Sequence, residues 1–143
     1  MPIDKTLIAK KLDFLDQHLT AVENMDFNES SFVEEEDIHD LVTFRLQQAV
    51  ETCIDIAVYI IAASKFSRRE TAKDAFLLLG KEKVITKELA GHLGKAADFR
   101  NRVVHGYNNF DFQLLFHDYK DDIKDLLDFG NQILAFLEKH TPT

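Results

Sequence analysis

A single cysteine in 143 residues rules out an internal disulfide and fits a reducing compartment. The two prolines, Pro2 and Pro142, sit at the extreme ends, so no proline interrupts a helix inside the chain. Five glycines are too few to punctuate a set of strands, which makes all-α the expected class. The longest uninterrupted apolar run, Ile56 to Ala63, falls far short of the ~18 residues of a membrane span. Charge begins at Asp4, where a signal peptide would be turning apolar. Metal-ligand spacings of Cys and His, a glycine-rich phosphate loop and a serine elbow are all missing; His18, His39, His92, His105, His117 and His140 are scattered. The expectation is one soluble, cytoplasmic domain over residues 1–143, with no metal, no cofactor of its own and no membrane contact.

Apolar residues make up 45% of the chain and include twelve Phe, enough for one core. The net charge of −8 argues at first against nucleic acid, but its distribution is uneven. Residues 1–63 carry four basic and thirteen acidic side chains, and residues 108–143 three and seven. Residues 64–107 carry ten basic and five acidic ones, a block of +5. A local positive field is what phosphate binding needs, whatever the total. The plainer explanation is a chance clumping of solvated lysines and arginines.

Apolar spacing predicts a first helix over 4–24, capped by Asp4, then a polar break from Asn24 to Ser30. Ser31 with Glu34 reads as a capping box opening a long second helix over about 33–64, with Glu34, Glu35, Glu36 and Asp37 suiting its positive end. Leu46, Ala49, Val50, Cys53, Ile54, Ala57, Ile60 and Ile61 form its apolar face, so Cys53 is assigned to the core. Arg45, Gln48, Thr52, Asp55 and Tyr59 make a polar stripe on the same helix. Ser67 and Glu70 repeat the capping signature before a short third helix closed by Gly80. Thr86 opens the fourth, and Asp111 caps a fifth that reaches about Lys139. Phe110, Phe112 and Phe116 are placed in the core in preference to a base-stacking role.

The richest stretch runs from Asp98 to Asn109 and gathers Arg100, Asn101, Arg102, His105 and Tyr107. Arg100 and His105 are five apart, about 140° on an ideal helix, so they share a face only if the helix stops. Gly106 is read as a left-handed stop that lets the imidazole swing toward Arg100. Arg100, Asn101, His105 and Tyr107 resemble the Arg-polar-x3-His-x-Tyr signature of HEPN domains, and more closely that of the HepT toxins. The likeness extends over the whole chain through helix order, length and motif position. It implies an up-and-down antiparallel bundle of about five helices, homodimeric, with two motifs facing a shared cleft. It also implies a toxin that cuts RNA (tRNA or mRNA) and a partner, an MNT-type nucleotidyltransferase antitoxin, that transfers AMP from ATP to Tyr107. A polar residue of the long helix, Asp55 or Glu51, would hold Arg100. The basic residues Arg102, Arg68, Arg69 and Lys73 are the candidate RNA contacts.

The chemistry open to these residues is acid/base work on a phosphodiester. RNA carries its own nucleophile, the 2′-OH, so a cleaving protein needs a base, an acid and a cation. His105 can take the proton, Arg100 can hold the non-bridging oxygens, and Asn101 can fix the imidazole or the phosphate. Two readings compete with this one. The motif can serve a non-catalytic HEPN partner that binds RNA or nucleotide, or Arg100 and His105 can merely cap a helix end.

Overall fold

The computed structural model describes residues 3–140, and among them every regular element is helical. The helices are α1 (Lys5–Glu23), α2 (Glu29–Glu34), α3 (Glu36–Ala63), α4 (Ala72–Lys81), α5 (Lys87–Gly106) and α6 (Phe112–Lys139), with a 3-10 turn at Tyr107–Asn109 between the last two. Five helices were expected and six are found. The extra one, α2, is capped by Asn28, whose side chain accepts from the Ser31 N–H while the Ser31 hydroxyl answers the Asn28 N–H. Ser31 is therefore the third residue of a short helix, where a capping residue of the long one was expected. The third expected cap also moves: Thr71, not Ser67, accepts from the Asp74 N–H to open α4. Asp4, Thr86 and Asp111 cap as their sequence context predicts.

Pairing across the bundle sets the direction of each helix. Lys11 meets Asp55 at 3.8 Å, and the Asp4 N–H donates to the Tyr59 hydroxyl at 2.7 Å, so α1 and α3 run antiparallel. Lys73 reaches Asp98 at 3.5 Å, which with the Gly80–Ala90 approach sets α4 against α5 in the same sense. His92 meets Asp125 at 3.1 Å and the Thr86 N–H donates to the Gln132 side chain at 2.8 Å, pairing α5 with α6. Exposed pairs of this kind contribute ~0–1 kcal/mol each. They report register; the apolar stripes supply the stability.

Those stripes meet in one continuous core. Ile8, Leu19, Leu46, Ile56, Ile60, Leu79, Leu93, Leu126 and Ile133 are fully buried, and Cys53 lies among them. α3 is long and apolar enough to pass for a membrane span, yet the larger part of its apolar window faces this core. At one end an aromatic cluster takes over: Phe32 of α2 packs against Phe112, Phe116 and Tyr119 of α6. Phe110, Phe112 and Phe116 pack against the core, as their spacing predicts.

Gly80 does not close α4 but lies inside it, where α4 and α5 touch. A Cβ built there would stand 2.7 Å from the Ala90 Cβ, and that atom is fixed to the α5 backbone. Alanine would gain ~1 kcal/mol of helix propensity but force the helices apart, at ~1–3 kcal/mol. Gly80→Ala is expected to lower the thermal midpoint, and Gly91→Ala, where nothing lies within 4 Å, to leave it unchanged or raise it.

Candidate functional site

The end of α5 departs from the expected break. Gly106 has φ −147° and ψ 30°, outside the left-handed region, and α5 stays helical as far as it before the 3-10 turn begins. His105 therefore occupies the last helical turn and projects away from Arg100, as five residues of uninterrupted helix require. The expected swing of the imidazole toward the guanidinium does not take place within one chain.

Arg100 turns to α3. Its Nη1 lies 3.0 Å from Glu51 Oε1, its side chain is only 25% exposed, and its Nε is buried with no hydrogen-bond partner among the described residues. Of the two acids expected to hold it, Glu51 does so. Asp55 sits one turn further along α3, on the side that packs against α1, and pairs with Lys11. Arg45 and Tyr59, from the same polar stripe, also face α1, through His18 and the Asp4 N–H.

His105 turns to α6. It is exposed and lines a groove of about 890 Å³ between α5 and α6, together with Asn101 and Arg102. Asn101 precedes His105 by four residues and shares its face, as helix geometry demands. The groove is not positive. Lys95 and Arg102 are outnumbered there by Asp98, Asp111, Asp118 and Asp122. The basic block of the sequence is offset in space by the acids of α6. Arg68 and Arg69 lie exposed in the connection between α3 and α4, outside the groove lining, and Lys73 lies along Gly94 toward Asp98.

Tyr107 opens the 3-10 turn and is half-buried, its ring against Phe110 and Phe112. Its hydroxyl donates to the carboxylate of Asp40 on α3. Burial, then the hydrogen bond and charge of Asp40, push the phenol well above its ordinary pKa. The sequence reading missed Asp40, although a signal was present. Asp40 and Glu51 are eleven residues apart and Arg100 and Tyr107 seven, each pair within about 20° of one face. Antiparallel packing that joins Arg100 to Glu51 must bring Tyr107 toward Asp40.

A bundle of this helix order, closing on that string, is a HEPN bundle. The chain belongs to the HepT-like ribonuclease family, whose model, Ribonuclease HepT-like, matches residues 11–133. It is 26% identical to the mRNA nuclease HepT of Shewanella oneidensis over 129 residues, 90% of this chain and 97% of that one. It is 32% identical to the tRNA nuclease HepT of Aphanizomenon flos-aquae over 115 residues, 76% of this chain and 75% of that one. Among solved structures it resembles the tri-AMPylated Shewanella oneidensis HEPN toxin in complex with MNT antitoxin, with a TM-score of 0.83, 26% identity, and 90% and 96% of the two chains covered.

Asp122 is the perturbed acid of the groove, raised to about 6 by burial first and then by Asp118, Asp125 and Asp121. Its folded pKa lies above its unfolded one, so the fold binds the proton more tightly. Its ionisation then costs stability progressively as pH rises from about 4 to about 6, and in full above that. Allowing for its partial exposure, the cost is on the order of 1–2 kcal/mol. Asp122→Asn should stabilise the protein by that amount at pH 7.5 and leave it nearly unchanged at pH 4, read from denaturant midpoints.

Proposed function

We propose that this protein is the toxin of a toxin–antitoxin pair, an endoribonuclease that needs no metal and acts in the cytoplasm as a homodimer. Family membership carries the reading, together with a string in which the guanidinium and the tyrosine have defined partners on α3 and the imidazole is exposed. The RNA is a tRNA or an mRNA, the two classes named for its relatives.

His105 takes the proton of the ribose 2′-OH, which attacks the adjacent phosphorus. Arg100, aligned by Glu51, carries the charge that builds on the non-bridging oxygens, and Asn101 orients the imidazole. The bond to the 5′ oxygen breaks, leaving a 2′,3′-cyclic phosphate and a 5′-OH. The departing oxygen needs a proton, and one chain has no second imidazole there. His105 from a second copy supplies it across a two-fold axis. Val104 and Leu114, 54% and 52% exposed beside the motif, are the apolar surface such a pairing would cover. The carboxylates of the α5–α6 groove make it a poor phosphate site, so the scissile group lies where the Arg100 face of one copy meets the imidazole of the other.

A nucleotidyltransferase antitoxin silences the enzyme by transferring AMP from ATP to Tyr107. The adduct places bulk and negative charge two residues from the base, where RNA phosphate must lie. A non-catalytic, RNA-binding role is the competing reading, and single substitutions separate the two. His105→Ala and Arg100→Ala should each reduce cleavage of total RNA at least ~10²-fold, the exposed His105→Ala with its thermal midpoint unchanged. If both variants cut at the wild-type rate, the enzyme reading is wrong.

A further inference from the structure

The Tyr107 hydroxyl donates directly to a carboxylate on another helix. Asp40 is 49% exposed, so the pair is open to a reactant. Behind it, His39 of α3 is buried and its Nε2 stands 3.6 Å from Asp40 Oδ1. The other ring nitrogen, Nδ1, lies 2.9 Å from the Phe32 carbonyl, which can only accept, so Nδ1 carries the hydrogen. The His39 ring is stacked on Phe112 at 3.7 Å between centroids. With its hydrogen on Nδ1, the neutral ring turns a bare Nε2 toward the carboxylate and gives it no hydrogen bond, so the donor that Asp40 meets is the phenol. A base within hydrogen-bond reach of a hydroxyl is the arrangement that activates oxygen nucleophiles.

We propose that Asp40 is the general base for nucleotidyl transfer onto Tyr107, so that the toxin supplies part of the catalytic machinery for its own silencing. This rests on the reading of Tyr107 as the acceptor. In the transfer the phenolic oxygen attacks the α-phosphorus of a nucleoside triphosphate. The new O–P bond forms as the bond to the β-phosphate oxygen breaks, and pyrophosphate leaves. The phenolic proton passes to the Asp40 carboxylate and from there to solvent. The partner contributes the triphosphate site.

The chemistry calls for such a base. A half-buried phenol whose ionisation is disfavoured by burial and by Asp40 does not form phenolate unaided near neutral pH. The same carboxylate that opposes a standing phenolate accepts the proton once the oxygen is bonding to phosphorus, when no second negative charge is left on that oxygen. The ionisable groups around the phenol are Asp40, Glu36 and His39, all on α3; Phe110 and Phe112 contribute only rings.

Mass spectrometry of the intact full chain, mixed with its antitoxin and magnesium ATP, tests this. Asp40→Asn should slow the first AMP addition ~10²-fold or more, with antitoxin affinity and circular dichroism unchanged. Its remaining rate should climb tenfold per pH unit between about pH 7 and 9, whereas a carboxylate base gives the wild type a flat profile there. Asp40→Glu, which keeps a carboxylate, should retain the flat profile and recover much of the rate. An Asp40→Asn chain that is modified at the wild-type rate, or a slow one that keeps the flat profile, overturns the proposal while Tyr107→Phe still takes up no AMP. If Tyr107→Phe is modified as fully as wild type, the acceptor reading falls, and the base with it.

Discussion

An unbroken helix decides the geometry of this protein. α5 stays helical as far as Gly106, so a string that looks compact in sequence is divided between two faces. Arg100 and Tyr107 look to α3 and meet Glu51 and Asp40. Asn101, Arg102 and His105 look to α6 and line a groove with its acids. The division follows from 3.6 residues per turn and from the absence of a left-handed residue to end the helix early. The base and the guanidinium therefore belong to one cleft only if a second copy contributes, and exposed Val104 and Leu114 lie where it would dock.

The same helix explains the electrostatics. Residues 64–107 are rich in lysine and arginine, but charge along a chain is not charge in space. α6 lays Asp118 and Asp122 against the α5 face that carries Arg102, and burial first, then the neighbouring carboxylates, raise Asp122. On the other face Arg100 keeps the Glu51 carboxylate and a buried Nε with no hydrogen-bond partner among the described residues. A guanidinium held in this way keeps its plane fixed, which suits it to charge that develops only in a transition state.

Much of the bundle was legible in the sequence because helix periodicity and side-chain caps are local signals. Asp4, Thr86 and Asp111 cap as their contexts predict, and the apolar faces of α1 and α3 pack into the core as their spacing requires, whereas Val104 of α5 and Leu114, Leu127 and Leu134 of α6 are exposed. Short-range ambiguity hid α2: Ser31 with Glu34 is a sound capping box, but Asn28 three residues earlier makes a reciprocal one with Ser31. Gly106 misled for a related reason, since glycine permits a left-handed turn without imposing it. Glu51 and Asp55 are equally plausible partners for Arg100 on one helix, and only the place of α1, which takes Asp55, separates them. The Asp40–Tyr107 contact is a tertiary pairing across 67 residues, inferable only once the antiparallel register of α3 and α5 is known.

The claim on which the mechanism turns is that acid and base are the same residue, His105, contributed by two copies to one cleft. Co-folding wild-type chains with an equal amount of His105→Ala chains and measuring RNA cleavage per total chain tests it most directly. With random pairing only one dimer in four keeps both imidazoles, so activity should fall to about a quarter of the all-wild-type value. A fall to one half, the result for chains that each cut independently, would contradict the shared cleft.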